Sequence, residues 1–221
     1  MEISRKVGEC QIVAVAASTG ELDALPDLSP KIDLVELRLD LLPAFAAPPA
    51  LESPILLTAR SQEEGGSGGS CEERCAQILD LLDSASSIDL EIATLAASAH
   101  ARRLADAARS HGIRVIGSFH DFFHTPSEAE LAAVLQRAGD LPIDLVKIAA
   151  MTSTSAELAR LALLQEETTV PLATMGMGPL GKASRVLLAH LGSRLVYGYT
   201  LEPSAPGQWA AGDLRAALRN D

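Results

Sequence analysis

Short, nearly continuous apolar runs recur along this chain, separated by longer stretches in which alanine and leucine return at helical spacing. The runs predict strands over Gln11 to Ala17, Leu34 to Leu39, Ile55 to Ala59, Ile88 to Ile92, Ile113 to Phe119, Leu145 to Ala149, Pro171 to Met175 and Arg194 to Tyr199. Most lack the polar alternation of a half-exposed strand, as in Gln11-Ile12-Val13-Ala14-Val15, so they read as parallel strands covered on both faces. Helices are predicted over Thr94 to His111, Ser127 to Gly139 and Ser153 to Glu167. Ser127 followed three residues later by Glu130 is a capping box, with Pro126 as a start signal before it.

Eight strands alternating with helices imply an α/β fold closed as a (β/α)8 TIM barrel; a doubly wound open sheet is the competing architecture. At 221 residues the chain is short for a barrel, which typically has roughly 250. A compact form is therefore expected, a single barrel domain over residues 1–221. Pro43, Pro48, Pro49 and Pro54 leave little room for a full helix after strand two, so the second helix is expected to be trimmed. Strand one begins near Gln11, and no N-terminal hairpin is expected. The Gly-Gly-Ser-Gly-Gly stretch inside Glu63 to Ser70 reads as a mobile lid or connection.

Composition narrows the function. Apolar residues make up 48% and charged residues 21%, the mixture of a globular domain. With 18 Lys plus Arg against 29 Asp plus Glu and only 3% aromatics, the chain offers neither a basic surface nor stacking rings, so no nucleic-acid partner is expected. No apolar run reaches the roughly 18 residues of a membrane span, and no secretory signal is expected at Met1 to Cys10. Three cysteines, an odd number, point to a reducing cytoplasm, and Cys71 and Cys75 have no nearby His to complete a metal set. Neither a metal nor a cofactor is expected.

In a barrel the active site lies at the C-terminal strand ends, so polar residues there are the candidates. Alternation puts Glu36, Arg38 and Asp40 on one side of strand two, facing the lumen, either for binding or as an internal ion-pair layer. Strand three runs into Arg60. Strand five ends at His120, a proton carrier near neutral pH or a core histidine satisfied by a carboxylate. Lys147, one of four lysines, lies inside the apolar strand six. Burying an ammonium is costly, and a lysine that gives up its proton attacks carbonyls; a structural ion pair with Glu36 is the alternative. After strand seven, Gly176, Gly181 and Lys182 mimic a phosphate-binding loop, but Ala183 replaces the hydroxyl that would bind magnesium. That segment suits anion binding better, with Arg185 offering a planar fork to a carboxylate. Ser204 to Gln208 supplies small polar groups after strand eight, and Ser18 is a candidate contact after strand one.

Glu36-Leu37-Arg38, Arg60 with Glu64-Gly65-Gly66, His120-Asp121-Phe122, Lys147-Ile148-Ala149, Ser184-Arg185 and Ser204-Ala205-Pro206-Gly207-Gln208, in that order, resemble type I 3-dehydroquinate dehydratase, the Schiff-base enzyme of the shikimate pathway. The resemblance implies dehydration of 3-dehydroquinate to 3-dehydroshikimate. Lys147 would form the imine, His120 would shuttle protons, and Glu64 would orient the histidine. Arg185 would clamp the substrate carboxylate, while Glu36, Arg60, Ser204 and Gln208 would contact the substrate with support from Arg38. It also implies a homodimer. A class I aldolase-type Schiff-base barrel and a catalytically silent barrel that binds an acidic metabolite are the alternatives.

Overall fold

A computed structural model describes residues 10–28, 31–44, 48, 50–203 and 207–219. Eight parallel strands form one sheet: β1 Gln11–Ala16, β2 Leu34–Arg38, β3 Ile55–Thr58, β4 Ser87–Glu91, β5 Arg114–Asp121, β6 Leu145–Met151, β7 Leu172–Met177 and β8 Leu195–Tyr199. Their order is β7-β6-β5-β4-β3-β2-β1-β8, so β8 returns to lie beside β1. The remaining seam is narrow: the Arg194 amide donates to the Leu172 carbonyl at 3.0 Å, linking the start of β8 to β7. The sheet is thus a nearly closed barrel, and the eight expected strands are the eight observed.

Helices cover the outside. They are α1 Thr19–Leu28, α2 Cys71–Asp80, α3 Ile92–Ala97, α4 Ala99–Ser110, α5 Glu128–Gly139, α6 Ser155–Glu167, α7 Gly181–His190 and α8 Ala211–Ala217. Among the described residues no helix lies between β2 and β3, as the prolines there foretell. The hairpin expectation concerns residues 1–9, which lie outside the described residues. The single helix expected over Thr94 to His111 is two. Ser98, extended at φ −111° and ψ 123°, ends α3 and caps α4 by accepting a hydrogen bond from the Ala101 amide. A serine competes with the backbone for hydrogen bonds inside a helix and is favoured at its N-cap, which is why the pattern breaks there. The Ser127–Glu130 capping box forms as expected, and Thr154 with Glu157 makes another at α6.

Period-two stepping along the strands sorts the barrel interior into layers. Val13, Leu34, Leu56, Ile116, Leu145, Ala173 and Leu195 fill one layer with buried apolar side chains. Two residues further along the same strands come Val15, Glu36, Thr58, Ser118, Lys147, Met175 and Tyr197. The interior therefore changes from hydrocarbon to charge within one step toward the C-terminal ends. The opposite strand faces, with residues such as Ile12, Val35, Leu37, Leu57, Ile88 and Val115, pack under the helices.

Candidate active site

Lys147 lies in β6 with 3% of its surface exposed. Its Nζ stands 2.6 Å from Asp89 Oδ2 and 3.8 Å from Glu36 Oε1, and 4.8 Å above the centre of the Tyr197 ring. The pairing with Glu36 expected from sequence is present, but the shorter contact is to Asp89. Asp89 in turn receives Arg60 Nη2 at 3.0 Å and the Ser118 hydroxyl at 2.6 Å. Arg60 also donates to Ser118 Oγ at 2.6 Å, and Glu36 accepts from the Thr58 hydroxyl at 2.8 Å. Burial alone would raise the Asp89 carboxyl, but Arg60 and Lys147 override it and hold it well below the usual carboxylate range. Arg60 is likewise held charged: burial opposes its charge, and Asp89, Glu36, Glu64 and Glu91 outweigh burial.

His120 is the next inward-facing step of β5; its register partner on β6 is Ala149, two residues beyond Lys147. Its Nδ1 lies 2.8 Å from Glu64 Oε2. Glu64 comes from the loop after β3, whose chain folds back: the Gly66 amide donates to Ser61 O at 2.7 Å and the Gly68 amide to Arg60 O at 2.9 Å. The stretch read as a lid is in this way hydrogen-bonded to the strand it leaves. Phe122 lies parallel to His120, with centroids 6.2 Å apart. Gly65, at φ +78°, passes so close that a Cβ there would lie 2.5 Å from the Phe122 ring. Burial, reinforced by Arg60 and Lys147, pushes the imidazole well below its ordinary value of 6.5. Burial also raises the Glu64 carboxyl to about 8, with Glu91 and Asp89 adding to the rise and Arg60 opposing it. Both members of the pair are thus driven toward their neutral forms.

Arg185 lies in α7, 4% exposed, across the β7 and β8 ends. It donates to four backbone carbonyls: Tyr197 at 2.9 Å, Gly176 at 3.1 Å, Gly181 at 2.9 Å and Gly207 at 3.2 Å. Among the described residues no carboxylate reaches it, and burial lowers its pKa to about 10. A buried guanidinium held in place by backbone carbonyls can receive an anion, and a planar fork suits a carboxylate. Gln208 follows Gly207 and is half-buried; Ser204 lies outside the described residues. Arg38 pairs with Asp40 through two contacts, at 2.9 Å and 2.7 Å, and Asp40 also accepts the Arg60 and Ser67 amides. Arg38 therefore braces the rim. Ser18 is exposed and caps α1, accepting from the Glu21 amide at 3.3 Å, so it has a structural task at the helix start.

Sequence reading missed Asp89 and Glu91. The signal was present in Ser87-Ile88-Asp89-Leu90-Glu91, where the alternation that singled out Glu36 and Arg38 also turns both carboxylates inward.

A parallel barrel with a buried lysine, a histidine–carboxylate pair and a buried arginine gathered at its strand ends has the layout of a barrel enzyme with its site at the C-terminal face. Comparison narrows the class. The family model for type I 3-dehydroquinase matches residues 10–221. The chain is 35% identical over 175 residues to the 3-dehydroquinate dehydratase of Syntrophotalea carbinolica, covering 76% of this chain and 68% of that protein. It is 32% identical over 229 residues to that of Enterococcus faecalis, covering 94% and 90%. The crystal structure of 3-dehydroquinate dehydratase from Geobacillus kaustophilus superposes with a TM-score of 0.79 at 26% identity, covering 95% of this chain and 90% of that one. The chain belongs to the type I 3-dehydroquinase family.

Proposed function

We propose that residues 1–221 form a catalytic domain that dehydrates 3-dehydroquinate to 3-dehydroshikimate through a Lys147 imine. The observation that carries this reading is the buried Lys147 on β6 beside His120 on β5, which Glu64 reaches from the loop after β3, with no carboxylate among the described residues paired to Arg185. The substrate carboxylate occupies the Arg185 fork, which orients the ring so that its ketone meets Nζ. Once Lys147 has released a proton to solvent, attack by its amine gives a carbinolamine, and loss of water, with a proton supplied by His120, gives the protonated imine. That cation is an electron sink for the adjacent carbon. His120 then removes the proton from C2 and the electron pair moves into the imine; the resulting enamine expels the β-hydroxyl, which leaves as water by taking that proton from His120. Hydrolysis of the imine returns Lys147.

Glu36, Arg60, Ser204 and Gln208 are assigned to the substrate hydroxyls and carboxylate, with Arg38 as support. The reading includes a homodimer in the cytoplasm acting on a small molecule, with neither nucleic acid nor membrane as partner; no helix among the described residues is long and apolar enough to cross a membrane. Mixing the protein with 3-dehydroquinate and sodium borohydride, which reduces an imine to a stable amine, tests it by mass. An adduct mapped to Lys147 is expected. A folded protein that gains no adduct would overturn the imine mechanism.

A further inference from the structure

Lys147 and His120 sit on strands, whereas Glu64 rides on the loop over residues 61–69. Behind that loop is open space, a cavity of about 780 Å³ whose wall includes Glu64, Gly69, Arg74, Glu91 and Thr94. The loop thus has room to retreat from His120; the Gly66 and Gly68 amides tie it to Ser61 and Arg60 and the Ser67 amide to Asp40, and its two ends have a further tether.

A single buried ion pair reaches both of its ends. Glu91, at the end of β4, accepts the Ser61 amide at 2.7 Å through Oε1, where the loop begins. Its Oε2 accepts the Thr94 hydroxyl at 2.6 Å and Arg74 Nη2 at 3.2 Å. Arg74, in α2, uses Nη1 to donate to the Gly69 carbonyl at 2.8 Å, where the loop ends. Gly68 lies flat on the Arg74 stem, since a Cβ there would fall 2.6 Å from Arg74 Cδ. Arg74 and Glu91 are 8% and 4% exposed; neither has a polar contact with Lys147, His120 or Arg185, and Glu91 Oε1 also lies 4.0 Å from Arg60 Nη1. Two buried charges are costly to keep unless their geometry does something a packed hydrocarbon pair could not. Here the geometry hands one hydrogen bond to each end of the loop.

We propose that Arg74 and Glu91 are positioning residues for the reaction: their ion pair ties down both ends of loop 61–69 and so sets the Glu64 carboxyl at hydrogen-bond distance from His120 Nδ1. The proposal rests on the reading of His120 and Glu64 given above, and it goes beyond that reading in naming what holds the pair together. Glu91 has a second effect, because its charge helps keep the Glu64 carboxyl protonated.

The test is a double-mutant cycle. Arg74→Met keeps the stem on Gly68 and removes the charge. It is expected to lower kcat about tenfold with KM within about threefold, because Arg185 is untouched. Arg74→Lys should recover part of the loss. In a Glu64→Gln background, Arg74→Met should cost little more. Full multiplication of the two losses, or an unchanged kcat in folded Arg74→Met, overturns the clamp. Should Arg74→Met fail to fold, Arg74→Gln, which removes the charge but keeps a polar end beside Glu91, replaces it in the same cycle. The nitrogen chemical shift of His120 Nδ1 separates this proposal from the reading beneath it. That shift should move in Arg74→Met whatever happens to turnover, and a static shift contradicts the clamp. An unchanged kcat in Glu64→Gln would instead contradict the catalytic role of Glu64.

Discussion

His120 Nδ1 and Glu64 Oε2 stand 2.8 Å apart although 56 residues separate them in sequence, and burial drives both groups toward neutrality. In that neutral state the carboxyl donates to Nδ1 and the ring keeps its proton on Nε2, ready to give it away. Once Glu64 ionises, Nδ1–H donates to the carboxylate and Nε2 becomes a free base. The pair therefore changes from proton donor to proton acceptor as pH passes upward through about 8.

The kcat/KM profile should record this change. His120 gives a proton while the imine forms and takes one from C2 afterwards; with C2 proton removal limiting, kcat/KM is expected to rise as pH increases through about 8, and Glu64→Gln should abolish that inflection. A wild-type profile that falls across the same interval would contradict the assignment. Stability should follow the same proton. The folded carboxyl titrates above its unfolded value, so its favourable contribution is complete below pH 4.5 and is lost as pH rises through about 8. Glu64→Gln should therefore gain stability relative to wild type between pH 5 and pH 9, by on the order of a few kcal/mol, read from urea midpoints at each pH.

Replacing Lys147 with alanine removes the nucleophile and leaves the anion receptor. Turnover should fall by about 10³-fold or more. Isothermal titration should still detect binding of the substrate carboxylate at Arg185. Retention of substantial activity in Lys147→Ala would show that no imine is required.

At Arg185 the opposite split is expected. Arg185→Lys keeps a positive charge but loses the bidentate fork and part of the carbonyl network. Steady-state kinetics should show KM raised roughly 10- to 100-fold with kcat changed far less, and borohydride trapping should survive at saturating substrate. A variant with unaltered KM would remove Arg185 from carboxylate recognition.

Gly65 should tolerate no side chain. At φ +78° an L-residue costs roughly 1–2 kcal/mol, and the added Cβ would displace the Phe122 ring that lies against His120. Gly65→Ala is expected to lower the melting temperature and kcat together. Gly65→Ala with Phe122→Leu, which clears the space but keeps the strained φ, should recover activity more than stability. Thermal unfolding beside initial rates distinguishes the two.

Much of this molecule is written locally. The eight strands are legible because a strand covered on both faces must be apolar throughout, and that requirement leaves continuous runs such as Leu145-Val146 and Ile148-Ala149-Ala150. Against such a run Lys147 stands out, His120 is conspicuous at the polar end of an apolar strand, and Arg185 in the glycine-rich segment that follows β7. Resemblance supplied Glu64, which nothing in its own neighbourhood marks as the partner of a histidine.

Tertiary structure decided which charges meet. Asp89, rather than Glu36, stands closest to Lys147, and Arg74 reaches Glu91 and Gly69, because closing the sheet brings inward-facing residues of separate strands into one layer. Strand periodicity tells which side chains point inward, but not which of them become neighbours across the lumen. That depends on the stagger of one strand against the next and on the loop over 61–69 folding back onto β3, and both follow from long-range hydrogen bonds that no local pattern records.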